Sequence, residues 1–286
     1  MLFTTSARTV TRVLSVVVLF LTLAGLGAKG LRGFLGDEGL LSLLTLFYPG
    51  EEATIITWYS SFTLLLSSVL IAIIAVVKRK RGERYSLHWL GLSIIFLFMS
   101  MDEVIQLHEA LGRPAIQSLL SDSLGLTPTG FIYHFWVVPG AAFVLIFVLA
   151  YVRFLFRLPE RTRRLFLVAG TLFVLGALGL ETLHAGWVSA FGGAENLGNA
   201  GEMPKIIAAV LVSIEEFLEM SGIVVFIYAL LAYIGTYVGT NVQVRLVGSG
   251  NVERGATDER PQGARSGRVS EKITTEAKRT GRPPDR

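Results

Sequence analysis

The chain has 286 residues, of which 52% are hydrophobic and 17% are charged, and its formal net charge is +4. Soluble domains carry about 25% charged residues, so this composition, with a mean hydropathy of +0.57, indicates a membrane protein. The chain has no cysteine, which excludes disulfide frameworks, thiolate metal sites and cysteine nucleophiles.

Six apolar stretches are long enough, or nearly so, to cross a hydrocarbon core of about 30 Å. They predict an all-α, polytopic transmembrane helical bundle with spans near 10–28, 56–77, 88–108, 131–152, 165–187 and 206–234. A signal peptide is an alternative for the first stretch, but its apolar run is long for one, which favours a retained anchor. Pro139 and Gly140 predict a kink inside the fourth span.

The positions of lysine and arginine predict the orientation of these spans. Five basic residues fall in 78–84 and five in 153–164, whereas the alternate loops together hold four (Lys29, Arg32, Arg113 and Lys205). Cytoplasmic loops of membrane proteins carry such an excess of positive charge. We therefore expect a multi-pass protein of the cell membrane with both termini in the cytoplasm.

The composition changes near Thr236, where glycine, serine, threonine, arginine and glutamate become dominant and aromatic residues almost vanish. Such a segment cannot bury enough apolar surface to fold. We expect a transmembrane bundle over 1–237 and a disordered, basic cytoplasmic tail over 238–286. The sequence has neither a glycine-rich phosphate loop nor a nucleic-acid-binding module, so the bilayer is the expected partner and nucleic acid is not.

The third span ends in charged residues without an intervening turn residue. Asp102, Glu103, Gln106, His108 and Glu109 follow membrane-grade apolar sequence in what is predicted to be one helix. A charge at the bilayer centre costs at least about 2.5–3.5 kcal/mol, so these groups need partners, water or a metal. Helical spacing predicts that Asp102, Gln106 and Glu109 share a stripe with Glu103 beside it. His108 points away from this stripe unless the helix ends early.

The predicted topology brings the other polar residues of the spans to the same outer half of the bundle. His134 lies near the outer mouth of the fourth span, and Glu181 and His184 lie near the outer end of the fifth, three residues apart. Glu215 and Glu219 share a face of the sixth span. Gly222, one turn further, allows a neighbouring backbone to approach closely, and Glu216 is rotated by about 100° from Glu215.

Carboxylates and imidazoles on several helices are the ligands of metal sites. The predicted set is Asp102, Glu103, Glu181, His184, Glu215 and Glu219 around one cavity, with His134 at its rim. The excess of carboxylates favours iron or manganese, and a zinc site of His134, His184 and one carboxylate is a second geometry. The alternative is a purely structural role, in which these groups hydrogen-bond and ion-pair only to hold the helices together. Such bonds average about 0.6 kcal/mol in membrane bundles, which is little for burying so many acids.

Several motifs resemble an uncharacterised group of bacterial six-span integral membrane proteins. They are Trp58–Ser61, Asp102-Glu103 with His108-Glu109, the Pro139-Gly140 span, and Glu215-Glu216-x-x-Glu219-Met220, and the resemblance covers Tyr48 to Gly235. It implies a membrane protein and brings no catalytic assignment. The His-x-x-x-His pair of the seven-span ceramidase and adiponectin-receptor hydrolases is missing from the sequence.

The leading hypothesis from the sequence is a membrane-embedded metal-binding protein, acting as an oxidoreductase or a hydrolase on a lipid or a small apolar substrate. A proton- or cation-coupled transporter or channel is the first alternative, although the inner halves of the spans hold almost no ionisable groups and a transporter needs access from both faces. A sensor or scaffold that signals through the basic tail is the second. The sequence leaves open whether the chain is an enzyme, which metal or substrate it binds, and its oligomeric state.

Overall fold

The computed structural model describes residues 6–31, 44–49, 54–110, 118, 122–123, 125 and 129–238. Every secondary-structure element in this part of the chain is helical, and six helices are long and apolar enough to cross a membrane. The predicted all-α bundle with six spans is therefore confirmed. The predicted tail, 238–286, lies outside the described residues except for Val238, which ends the last helix.

The elements follow the chain in this order: α1 (Ala7–Leu31), α2 (Ile55–Lys80), α3 (Ser86–Ile105), the short α4 (Leu107–Ala110), a 3-10 turn (Gly130–Ile132), α5 (Val137–Arg157), α6 (Glu160–Val174), a π-helical segment (Leu175–Leu180), α7 (Glu181–Ala190), the short α8 (Ala194–Gly198), α9 (Glu202–Tyr233) and a terminal π-helical segment (Ile234–Val238). The run from α6 through the first π segment to α7 forms one continuous span, Glu160–Ala190.

The helix α9 lies at the centre of the bundle. It packs against α1, α2, α6, the first π segment and α7, and its buried side chains include Met220, Ile227 and Leu230. By contrast, α5 exposes an apolar surface that includes Ile146 and Leu149. In a membrane protein such a surface faces lipid, so α9 forms the core and α5 lies at the periphery.

Two glycines allow α9 to approach the α6–α7 span closely. A Cβ atom at Gly222 would lie 2.8 Å from the backbone oxygen of Ala169, and one at Gly176 would lie 2.9 Å from the backbone oxygen of Glu215. Neither distance is compatible with a side chain, so both positions require glycine for this packing. The close backbone approach predicted at Gly222 is present.

Serine pairs join α2 to α3. The hydroxyl groups of Ser61 and Ser100 each donate to the other residue's carbonyl oxygen, at 2.8 and 2.9 Å. Ser68 and Ser93 repeat the arrangement at 2.8 and 2.9 Å. Small side chains with satisfied hydroxyls let two helices pack tightly in lipid, where apolar burial gives little driving force between helices.

One end of the bundle carries the basic residues 78–84 and 153–164, and we call it the basic end. The turn after α2 lies here, and Arg81 donates to the backbone oxygens of Tyr237 and Val238, at 3.2 and 2.8 Å. A cation at the C-terminal end of a helix is favourable because the last carbonyl groups have no partner within the helix. The opposite end, where α3 and α7 end and α5 and α9 begin, is called the site end.

Several observed span boundaries differ from the predicted ones, and two of the differences affect the candidate site. The fourth span begins at Val137 rather than near residue 131, so Pro139 lies in the first turn of α5. No kink is expected there, because the first-turn N–H groups lack helical partners in any case. The third span ends at Ile105 rather than near residue 108, since Gln106 adopts a left-handed conformation with φ of 55°.

Candidate metal centre

The site is built around Glu181, the first residue of α7. The preceding turns, Leu175–Leu180, are π-helical. A π segment holds one residue more per hydrogen-bonded ring than an α-helix, so it rotates the helix that follows, and such segments recur at functional sites. Three residues after Glu181, His184 lies on the same face of α7.

Three side chains converge at this point. The Nδ1 atom of His134 lies 2.6 Å from Oε1 of Glu181, and the rings of His134 and His184 lie with their centroids 5.4 Å apart. One ligand atom from each of His134, Glu181 and His184 lies within 4.8 Å of the other two. Ligands of a metal at about 2 Å are separated by roughly 3 Å, so small side-chain movements would suffice to bind one ion.

Trp136 orients Glu181. Its indole N–H donates to Oε1 of Glu181 at 3.1 Å, the same oxygen that contacts His134. Gly140 provides space for this indole, because a Cβ atom there would lie 3.0 Å from the Trp136 ring. Both contacts on Oε1 hold the Glu181 carboxylate in one orientation.

Glu215 brings a second carboxyl group against that of Glu181. Its Oε2 atom is buried and receives no hydrogen bond from a donor in the described part of the chain. Two carboxylates in contact repel each other unless a proton or a cation lies between them. The close packing of Gly176 on α9 holds Glu215 near the segment that precedes Glu181, since a Cβ atom at Gly176 would lie 2.9 Å from the backbone oxygen of Glu215.

Further acids continue from this pair towards α3. Glu219 is close enough to Glu216, Glu103 and Glu181 for their charges to interact, and Glu103 interacts in turn with Glu216 and Asp102. These carboxyl groups therefore form a connected set of neighbours within the spans. We call Glu103, Glu216 and Glu219 the acid group.

Asp102 occupies a different position from the one predicted. Its carboxylate accepts the backbone N–H of His108 at 3.1 Å and lies 2.7 Å from Nδ1 of the same residue. The predicted stripe of Asp102, Gln106 and Glu109 is wrong, because the helix ends at Ile105 and an aspartate side chain that binds the backbone beyond it stabilises this end. The side chain of Glu109 lies outside the described residues.

His108 connects this turn to the centre. Its ring packs edge-to-face on Trp136, with centroids 5.0 Å apart. Because Trp136 donates to Glu181, the end of α3 supports the orientation of the Glu181 carboxylate through two side chains. Trp136 was not predicted as a site residue. Its position two residues after His134 was the signal available in the sequence, but tryptophans are common at membrane interfaces, so this position alone did not indicate a site.

The structure thus divides the seven predicted site residues. It brings together His134, Glu181 and His184, places Glu215 beside Glu181, and leaves Glu219, Glu103 and Asp102 further along the chain of carboxyl groups. His134, which was predicted at the rim of the cavity, contacts Glu181 directly. A single cavity lined by the whole set stays a prediction.

No curated protein and no solved structure shows a significant match to the chain. A protein-family model does: it describes a domain of unknown function, DUF8692, and it matches residues 11–234. Because this match covers most of the chain, including all the residues of the candidate centre, the chain belongs to the DUF8692 family.

Proposed function

We propose that the chain is a membrane protein that binds a divalent metal ion through His134, Glu181 and His184 at the site end of its bundle. The observation that carries this proposal is the convergence of one ligand atom from each residue within 4.8 Å. His134 lies just before α5, whereas Glu181 and His184 lie in α7. His134 and Glu181 are 47 residues apart in the chain. Two imidazoles and one carboxylate are a ligand set of non-haem iron sites and of catalytic zinc sites.

Glu215 would be the fourth ligand. A buried carboxylate oxygen without a donor partner, in contact with a second carboxylate, calls for a cation or a shared proton. A metal ion at this point would neutralise both groups. The two carboxylates with two histidines favour iron or manganese, whereas three ligands with an open fourth position suit zinc.

The chemistry of such a centre would be that of a membrane-embedded oxidoreductase or hydrolase. A bound metal with an open position activates water or polarises a substrate oxygen. The exposed side chains of the spans are apolar, so the substrate that reaches the metal centre through the bilayer would be a lipid or a small apolar molecule. If the basic end faces the cytoplasm, the site would be open to the outer leaflet of the cell membrane.

Metal analysis of the detergent-purified protein tests the proposal. We expect about one equivalent of iron, manganese or zinc in the wild-type protein, and much less in Glu181→Gln and His184→Ala, because each change removes a ligand. Glu202→Gln is the matched control, since Glu202 is 83% exposed in its side chain and pairs only with Lys205 among the described residues.

Two results would contradict the proposal. One is a wild-type protein that retains none of the three metals after each has been supplied during reconstitution. The other is a set of variants, Glu181→Gln, His184→Ala and Glu202→Gln, that all retain the same metal content and the same melting temperature.

A proton- or cation-coupled transporter is the second candidate, and the acid group favours it. Carboxyl groups that interact in sequence, from Glu103 through Glu216 and Glu219, are typical of proton and cation routes in membranes. In proteoliposomes a transporter would carry protons or the metal ion across the bilayer into the vesicles, and Glu219→Gln would abolish this flux. An enzyme with a one-sided centre would show no flux and would keep its metal.

A further inference from the structure

A cleft of about 350 Å³ opens at the basic end, at the opposite end of the bundle from the candidate metal centre. It is lined by Glu160, Arg161, Arg164, Leu165 and Tyr228. The first four residues belong to the start of α6, and Tyr228 belongs to α9. Since α5 ends at Arg157 and α6 begins at Glu160, the cleft lies where two spans turn back, which is the depth of the lipid headgroups.

The polar groups of the cleft can receive an anion. Arg161 donates to the hydroxyl group of Tyr228 at 2.9 Å, so the remaining N–H groups of Arg161 and the hydroxyl proton of Tyr228 can still donate to a ligand. Arg164 pairs with Glu160, and both side chains are mostly exposed. An exposed ion pair of this kind contributes little free energy, so an anion can replace Glu160 as the partner of Arg164 at small cost.

The backbone at the start of α6 also favours an anion in the cleft. Pro159 precedes α6 and provides no side-chain hydrogen bond to its first turn. The first N–H groups of a helix have no partner within it, and together with the helix dipole they favour a negative charge nearby. Glu160 and Arg161 belong to this first turn and line the cleft, so the start of α6 lies beside the volume that the arginine side chains border.

The surface next to the cleft is apolar. Arg161, Arg164, Leu165 and Val168 follow the spacing of one helix face, and Val168 is 50% exposed. A ligand with a phosphate group and acyl chains would place the phosphate between the arginines and the chains along Leu165 and Val168.

We propose that this cleft binds the phosphate group of an anionic phospholipid. Two guanidinium groups provide paired N–H donors that match phosphate oxygens, and basic pockets between spans on the cytoplasmic side are a known form of lipid recognition. The proposal does not depend on the metal centre, which uses none of these residues.

The test is a titration of the full-length, detergent-solubilised protein with short-chain phosphatidylglycerol and with phosphatidylcholine. We expect the wild-type protein to bind phosphatidylglycerol more tightly. The double variant Arg161→Gln/Arg164→Gln should weaken this binding by about tenfold or more, because it removes the charged hydrogen bonds to the phosphate.

The double variant Arg153→Gln/Arg157→Gln is the matched control. It removes the same charge from the same helical hairpin, its two side chains are exposed, and neither residue lines the cleft. We expect it to weaken binding by less than about threefold, since only screened, longer-range attraction is lost. Equal losses in the two double variants would show attraction by overall charge and would overturn the proposal.

Two further arms complete the test. Tyr228→Phe keeps the aromatic ring and removes only the hydroxyl group, so it should weaken binding by a smaller factor and leave the melting temperature unchanged. Inorganic phosphate alone should not displace phosphatidylglycerol. Displacement by inorganic phosphate, or equal binding of the two lipids to the wild-type protein, would contradict a lipid site.

Discussion

Gly176 is the position at which the packing of the bundle and the geometry of the candidate centre can be tested together. A Cβ atom there would lie 2.7 Å from Cγ of Glu219, 2.9 Å from the backbone oxygen of Glu215 and 3.2 Å from the backbone nitrogen of Glu219. Two of these three neighbours are backbone atoms, which cannot rotate away. Gly176→Ala therefore forces the first π segment and α9 apart.

The expected magnitude follows from two opposing effects. Replacing glycine by alanine inside a helix contributes about 0.8–1.0 kcal/mol of stability, whereas forcing a methyl group into a well-packed contact costs about 1–3 kcal/mol. Gly170 provides the comparison, because it lies in α6 and a Cβ atom there has nothing within 4 Å. The two alanine variants share the first effect and differ by the second, about 1–3 kcal/mol.

Thermal unfolding of the two purified variants measures this difference. For a chain of this size, about 1 kcal/mol corresponds to roughly 2–4 °C, so we expect Gly176→Ala to melt roughly 2–12 °C below Gly170→Ala. We also expect Gly176→Ala to retain less metal, because it displaces Glu215 from Glu181. Equal melting temperatures for the two variants would refute the close approach at Gly176.

Three other predictions concern the end of α3, the topology and the tail. Asp102→Ala should destabilise the protein by about 1–3 kcal/mol, because it removes the two contacts that the Asp102 carboxylate makes with His108, and equal melting curves would contradict this. Cysteine at position 193 should react with an impermeant thiol reagent added outside intact cells and cysteine at position 82 should not, since basic loops stay in the cytoplasm; the reverse pattern would overturn the orientation. Truncation after Thr240 should leave the melting temperature unchanged, because the residues beyond it lack apolar content, and a large decrease would show that the tail packs on the bundle.

The six spans could be predicted from the sequence because apolar runs of this length form few structures other than transmembrane helices. The position of Glu181 and His184 on one helix face could also be predicted, since residues three apart share a face. Helical spacing and loop charges also placed His134 at the correct end of the bundle. These inferences depend on local composition and regular geometry alone.

The details of the centre depend on breaks in that geometry. The side chain of Asp102 binds the backbone of His108 beyond Ile105, and apolar periodicity gives no sign of this competition. The π segment before Glu181 changes the rotation of α7 relative to α6, although its sequence differs little from that of an α-helix. Trp136 resembles an interfacial belt residue until the position of the Glu181 carboxylate is known.

X-ray absorption at the K edge of the bound metal tests the central claim most directly, because it reports the ligand atoms themselves. The metal-loaded protein should show nitrogen and oxygen ligands at about 2.0–2.2 Å, with the outer-shell scattering of two imidazole rings. In His184→Ala the contribution of one ring should disappear. A ligand shell of oxygen atoms alone, unchanged in His184→Ala, would contradict a centre formed by His134, Glu181 and His184.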